Sequence, residues 1–215
     1  MSIPVDLWRW RLIDPDPRAL SADEHARAAR FVFARDRDRY IAGRARLRNI
    51  LGQYLGRAPG DIVFHYGPYG RPEVDGIGFN LAHTGDTALL AVATGPVLGV
   101  DIEAPRAISM DVAEAHFSKP EIAALKALPR EQQIDGFYRC WTRKEAYLKA
   151  RGTGISTDLA SFAVTLGPAE PPRLLTCASG DADVWSLYHL APAPGLVGAL
   201  AIRSAGQAVM LNWRN

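Results

Sequence analysis

The chain begins on an alternating pattern, Val5 and Leu7 apolar around Asp6 with Trp8 and Trp10 following, which predicts a strand over Val5–Leu12. Ser21 with Glu24 three residues later has the capping-box spacing and predicts a short helix start. Tyr40, Leu47, Ile50, Leu51 and Tyr54 then share one face of a predicted helix from Asp36 to Leu55, ended by "GRAPGD". Short apolar runs between Gly- and Pro-rich turns predict strands at "IVFHY", "IGFNLAH", "TALLAVAT" and "VLGVDIE". After "EAPRAI" the order recurs. Helical segments at "DVAEAHF", "KPEIAALKAL" and "CWTRKEAYLKA" precede strand candidates "LASFAVTL", "RLLTCA", "DVWSLYHLA", "GLVGALAIR" and "AVMLNW". An offset of about 100 residues is the size of a small domain. Strands joined by short turns favour antiparallel sheets, so the expectation is an α+β fold of two similar halves, residues 1–103 and 104–215, in one compact unit.

One position breaks the pattern. Ile134, Tyr138, Trp141, Glu145 and Leu148 follow helical spacing, so a glutamate stands where a leucine is expected, with Lys149 next to the stripe one turn on. A carboxylate on an apolar stripe is costly to bury unless it is paired or holds a metal. A salt bridge to Lys149 or Arg143 would satisfy it. A second feature offers another answer. "LGVDIE" ends a strand with Asp101 and Glu103, two residues apart and therefore on one face. Alone, such a pair is an ordinary solvated strand end. Together with Glu145, three carboxylates suggest a site for Mg²⁺, which binds oxygen ligands and commonly the phosphates of a substrate.

Composition narrows the class. Hydrophobic residues make up 48%, charged residues 22%, and the net charge is +2, as in a globular protein with a sizeable core. The prolines and acidic residues of "MSIPVDLWRWRLIDPDP" do not suit a signal peptide, and no apolar run reaches the length of a membrane span. Cys140 and Cys177 have neither metal-ligand nor disulfide-framework spacing, so a cytoplasmic location is expected. Charge is unevenly spread. Arg27, Arg30, Arg35, Arg37, Arg39, Arg44, Arg46, Arg48 and Arg57 are opposed only by Asp36 and Asp38, which implies a local basic surface for anions. Arg71 in "YGPYGRP" and His83 in "FNLAHTGD" sit beside turn glycines, where they could reach a phosphate. The near-neutral total and the carboxylate-rich centre argue against a nucleic-acid-binding module.

"GVDIE", "FSKPEIAAL" and "WTRKEAYLKARGTGI" resemble the signature of the large, Sfp-like type of 4′-phosphopantetheinyl transferase, and "RFVFARDRDRYIAGRARLRNIL", "YGRP" and "FNLAHTGD" resemble its N-terminal motifs. The resemblance implies two pseudosymmetric α/β halves with coenzyme A in the cleft between them. It implies transfer of the 4′-phosphopantetheine arm to a serine of an apo acyl or peptidyl carrier protein, releasing adenosine 3′,5′-bisphosphate. By motif position, Asp101, Glu103 and Glu145 would hold Mg²⁺, Lys149 would contact the phosphates, and Glu145 would be the preferred base, with Asp101 or Glu103 polarising a water as the alternative. Arg71 and His83 would bind coenzyme A phosphates, with Gly70, Asn80 and Ala82 lining the pocket and Arg27 and Arg44 adding positive charge, Arg27 at the 3′-phosphate. Ala82 stands where the family commonly has serine, and Arg71 where many members have lysine. The segment from Glu103 through Leu128, including Phe117 and Lys119, is expected to meet the carrier, and a monomer is implied. A Mg²⁺-dependent phosphohydrolase would also use clustered carboxylates, but it leaves the arginine-rich first half without a purpose.

Overall fold

A computed structural model describes residues 2–154 and 157–214; Ile155, the end of the quoted signature, lies outside the described residues. Strand β1 (Ile3–Arg11) leads into helices α1 (Ala22–Ala28) and α2 (Ala34–Leu55). Next come β2 (His65–Tyr66), β3 (Pro72–Glu73), β4 (Gly78–Thr84), β5 (Thr87–Ala93) and β6 (Leu98–Glu103). The second set is α3 (Met110–His116), α4 (Lys119–Ala127) and α5 (Arg130–Arg151), followed by β7 (Ala163–Val164), β8 (Leu174–Thr176), β9 (Trp185–Leu190), β10 (Val197–Arg203) and β11 (Val209–Arg214). The Ser21–Glu24 capping box forms as expected and starts α1. "IVFHY" and "LASFAVTL" yield only two-residue strands, because Pro59–Asp61 and Leu159–Ser161 turn as short 3₁₀ segments beside them.

The repeat is carried by α2 and α5. Each has 22 residues and each stops at a left-handed glycine, Gly56 (φ 61°) or Gly152 (φ 66°), a conformation that only glycine adopts without strain. One sheet has the order β11-β1-β5-β4 and the other β6-β10-β9. These sheets do not divide the chain at residue 103. Strand β6, expected in the first half, pairs with β10, with Asp101 opposite Ala199, and β11 returns to lie parallel to β1. Hydrogen-bonded neighbours are set by packing across the molecule, so closeness of β5 and β6 in sequence does not pair them.

Alternation along the strands sorts their side chains into layers. Val5, Leu7, Leu89 and Ala91 of the first sheet meet Leu98, Val100, Ile102 and Leu200 of the second in a common core. On the outer face of the first sheet, Phe79, Leu90 and Val92 pack against Leu47, Ile50 and Leu51 of α2. Ala199 and Ala201 of the second sheet pack against Ala146, Tyr147 and Ala150 of α5. Gly99 makes the last contact intimate: a Cβ there would lie 2.3 Å from both Ala146 O and Ala150 N. The missing side chain lets α5 lie directly on β6, which brings Glu145 and Lys149 next to Asp101.

Candidate active site

Strand β6 turns Gly99, Asp101 and Glu103 toward α5, and Lys149 crosses to Asp101 with Nζ 2.6 Å from Oδ1. Asp101 is 5% exposed, and its Oδ2 is buried with no hydrogen-bond partner. Burial pushes its carboxyl up to about 7 against the pull of Lys149, and the charges of Glu145 and Glu103 push the same way. Burial likewise raises Glu145, which feels Lys149 and His116 as opposing cations and Glu103 as a like charge. Thr84 Oγ1 donates to Glu103 Oε2 at 3.3 Å, tying the end of β4 to the end of β6. Glu145, Lys149 and His116 line a cavity of about 400 Å³.

The carboxylates thus share one electrostatic site, but not the tight triad expected from the motifs. Among the described residues no three His, Cys, Asp or Glu side chains stand close enough together to hold a metal ion. Lys149 already neutralises one Asp101 oxygen, and unneutralised carboxylates repel one another at ligating distances. The donor set still fits a hard cation: it is all oxygen, and Asp101 Oδ2 is a buried acceptor without a donor.

A second cavity, of about 480 Å³, lies between the outer face of β4 and α2. It gathers Arg27, Arg44 and His83, all expected from the sequence, with Phe31, Arg39 and Tyr40, which were not singled out. Tyr40 Oη and Arg44 Nη1 are buried there without partners, so two donors await an acceptor. Arg44 is otherwise structural, with Nε 3.4 Å from the buried Glu24 and its guanidinium over the Phe64 ring. Arg39 pairs with Asp86, its Nη2 at 2.6 Å and its Nε at 2.7 Å, while Arg27 lies exposed over the Tyr40 ring. One sign of Arg39 existed in the sequence: Asp86, the residue that pairs with it, follows the "HTG" turn. His83 has its pKa lowered by burial and by the Lys149 and Arg39 charges, which favours the neutral imidazole.

Other expected contacts go elsewhere. Asn80 Oδ1 accepts from Val100 N at 2.9 Å and joins β4 to β6, while Ala82 is buried in the core between the sheets. Their parity on β4 is opposite to that of His83, so neither side chain faces the His83 cavity. Gly70 adopts φ 78° and serves the turn before Arg71. Arg71 gives its terminal N–H groups to backbone carbonyls rather than to open space. Phe117 is 2% exposed and stacked on Phe137, so it cannot meet a carrier, whereas Lys119 is exposed. His116 and Thr84 join the carboxylate site from positions that the sequence motifs did not single out.

Asp101 should leave a mark on stability. Its native carboxyl protonates near 7 and its unfolded one near 3.8, so the native state holds the extra proton between those values. Its contribution to stability therefore falls as pH rises through that window. In chelator-containing buffer, Asp101→Asn is expected to flatten the fall in melting temperature between about pH 5 and about pH 8. An unchanged slope in the variant would mean that the pH dependence originates elsewhere.

Similarity to known proteins bears on the family. The family model described as the 4′-phosphopantetheinyl transferase superfamily matches residues 97–202, and a model of the 4′-phosphopantetheinyl transferase N-terminal region matches residues 15–95. The 4′-phosphopantetheinyl transferase HetI of Nostoc sp. is 40% identical over 96% of this chain and 90% of its own length. The 4′-phosphopantetheinyl transferase Sfp of Bacillus subtilis is 32% identical over 68% of this chain and 66% of its own. Among solved structures, the holo-[acyl-carrier-protein] synthase of Thermotoga maritima aligns with TM-score 0.42 and 18% identity over 52% of this chain and 65% of that one.

Proposed function

Because this chain belongs to the 4′-phosphopantetheinyl transferase superfamily, we propose that its two cavities divide the work of moving phosphopantetheine from coenzyme A to a carrier-protein serine. The transfer itself follows from the family and its relatives, which are transferases and lend no support to the phosphohydrolase alternative. In the proposed arrangement the Arg27, Arg39 and His83 cavity takes the 3′-phosphate end of coenzyme A, and its pyrophosphate reaches the Asp101, Glu103, Glu145 and Lys149 site. The observation that carries this reading is the unpartnered, buried Asp101 Oδ2 beside the Lys149 ammonium, in a region where Glu145 is held partly protonation-prone by burial.

Mg²⁺ held by Asp101, Glu103 and Glu145 would supply charge neutralisation at the pyrophosphate oxygens. The chain's own groups do the rest. Lys149 steadies Asp101 and offsets charge on the leaving phosphate. Glu145 accepts the proton of the serine hydroxyl, and its raised pKa makes it a better base near neutral pH than an ordinary carboxylate. The serine oxygen bonds to the phosphorus bearing the pantetheine arm, and that phosphorus releases its bridging oxygen with adenosine 3′,5′-bisphosphate. The reading has the enzyme acting as a cytoplasmic monomer, without nucleic-acid or membrane partners. No helix among the described residues is long and apolar enough to cross a membrane.

Incubation with coenzyme A, Mg²⁺ and an apo carrier should add the mass of one phosphopantetheine to the carrier. Failure with several unrelated carriers would end this reading. The 3′-phosphate assignment is separable. Arg39→Ala is expected to raise KM for coenzyme A about 10–100-fold, the value of one or two kcal/mol-scale charge-assisted hydrogen bonds, while leaving KM for 3′-dephospho-coenzyme A nearly unchanged. Equal losses on both substrates would place the 3′-phosphate elsewhere.

A further inference from the structure

Helix α5 carries Glu145 and Lys149, and its end needs an external anchor. The last carbonyls of a helix lack partners within it and carry its partial negative charge. Gly152 N–H returns to Leu148 O at 3.0 Å and Lys149 O at 3.2 Å. Arg71, from the β2–β3 hairpin, meets two of these last carbonyls. Its Nη1 donates to Lys149 O at 2.6 Å and Ala150 O at 2.7 Å, and its Nη2 to Leu98 O at 3.1 Å and Phe79 O at 3.4 Å.

That one guanidinium joins three elements: the end of α5, the first residue of β6 and the second residue of β4. Leu98 lies on the strand that carries Asp101, and Lys149 is the residue whose ammonium grips Asp101. All four terminal N–H groups are spent on carbonyls. The remaining Nε is buried without a hydrogen-bond partner, and Glu73 Oε1 lies 4.0 Å away. A phosphate could claim this guanidinium only by uncapping α5. The fit around it is close, since a Cβ on Gly152 would stand 3.6 Å from Arg71 Cδ.

We propose that Arg71 is a positioning residue for phosphopantetheinyl transfer, clamping the end of α5 to β4 and β6 so that Lys149 and Glu145 are held against Asp101, and that it does not ligate coenzyme A phosphates. The proposal rests on the transferase reading above. A planar fork presents four terminal N–H groups from two nitrogens and so reaches all four carbonyls at once; an ammonium has only three donors on a single atom. Lysine at this position therefore keeps the charge but loses the clamp. Loosening α5 by a fraction of its contact with β6 displaces two reacting-site groups at once, and a misplacement of about 1 Å can cost about 10²-fold in rate.

The test compares wild type, Arg71→Lys and Arg71→Ala in carrier modification, with coenzyme A binding measured separately by calorimetry on the full chain. Both variants should lose kcat by about 10²-fold, with KM and Kd for coenzyme A within about twofold of wild type. Lys149→Ala combined with Arg71→Ala should lose less than the product of the two single losses, because part of the Arg71 effect runs through Lys149 and the remainder through Glu145. A large rise in coenzyme A Kd for Arg71→Ala that Arg71→Lys restores would overturn the clamp and return Arg71 to phosphate binding. Lower melting temperature with unchanged kcat would overturn it too, leaving a purely structural role. Should Arg71→Ala not accumulate in folded form, Arg71→Lys alone decides: near-wild-type kcat refutes the proposal. Absence of transfer by the wild-type protein is a different result, which removes the transferase reading and the proposal with it.

Discussion

Replacing Glu145 with glutamine should lower kcat for carrier modification by about 10²–10⁴-fold, the usual worth of a positioned general base. Glutamine keeps the volume and hydrogen-bonding reach of the side chain and removes the charge and the proton acceptor. The apolar packing of Trp141 and Leu148 along α5 is then untouched, so the protein should melt normally. It should melt slightly higher if anything, because burial disfavours the Glu145 charge that is removed. The pH–rate profile separates two roles. If Glu145 takes the serine proton, the rising limb near its raised pKa disappears in the variant; if it only holds a cation, the limb survives and added Mg²⁺ recovers part of the rate. Activity within about threefold of wild type would remove Glu145 from the reaction and leave it a half-buried carboxylate without a catalytic role.

The second large effect concerns stability. Lys144 is fully buried and Glu121 is 2% exposed, and the two pair at 2.8 Å. The Lys144 ammonium also donates to Leu159 O at 2.8 Å and Phe162 O at 2.6 Å. Glu121 accepts from Ser118 N and Oγ and from Val164 N, and the bond from Ser118 N is one half of a capping box at the start of α4. One ion pair thereby fastens α4, α5 and the start of β7. Lys144→Met leaves the Glu121 charge buried without its partner, and removing one member of such a pair costs about 3–5 kcal/mol. Denaturant melts should show that loss, with a fall in melting temperature of about 6–20 °C for a chain of this size. Adding Glu121→Leu should recover part of it, because the uncompensated charge is then gone as well. A loss below about 1 kcal/mol would mean that water reaches Glu121 once the lysine is removed.

The two motifs in "FSKPEIAAL" and "WTRKEAYLKA" thus have different physical contents. Glu121 and Lys144 hold the scaffold, while Glu145, the very next residue, faces the cavity with Lys149 and His116. Sequence spacing showed the Glu145 position as an interruption of an apolar stripe, and that was legible because a helical face repeats within a few residues. Lys144 offered no such sign. Its partner lies more than twenty residues away and its carbonyl acceptors lie in a later segment, so only the packed chain reveals it as structural.

Arginines divide in the same way. In sequence, Arg27, Arg39, Arg44, Arg48 and Arg71 are equivalent cations, and any of them could serve a phosphate. Folding spends Arg48 on Glu24, Pro59 O and Ile62 O, commits Arg44 in part to Glu24, and gives Arg71 to the end of α5. Arg27 remains beside His83 at a cavity wall, where Arg39 also stands but is paired with Asp86. By itself the sequence determined what local periodicity can express: where strands and helices run, that Asp101 and Glu103 share a face, and that Glu145 interrupts an apolar one. Tertiary structure alone decided which strands pair, which cations are free to bind and which are spent on the scaffold. Side-chain direction repeats over two or 3.6 residues and can be read in a short window. The energy of a charge depends instead on burial and on partners contributed by distant segments, and those exist only once the chain has folded.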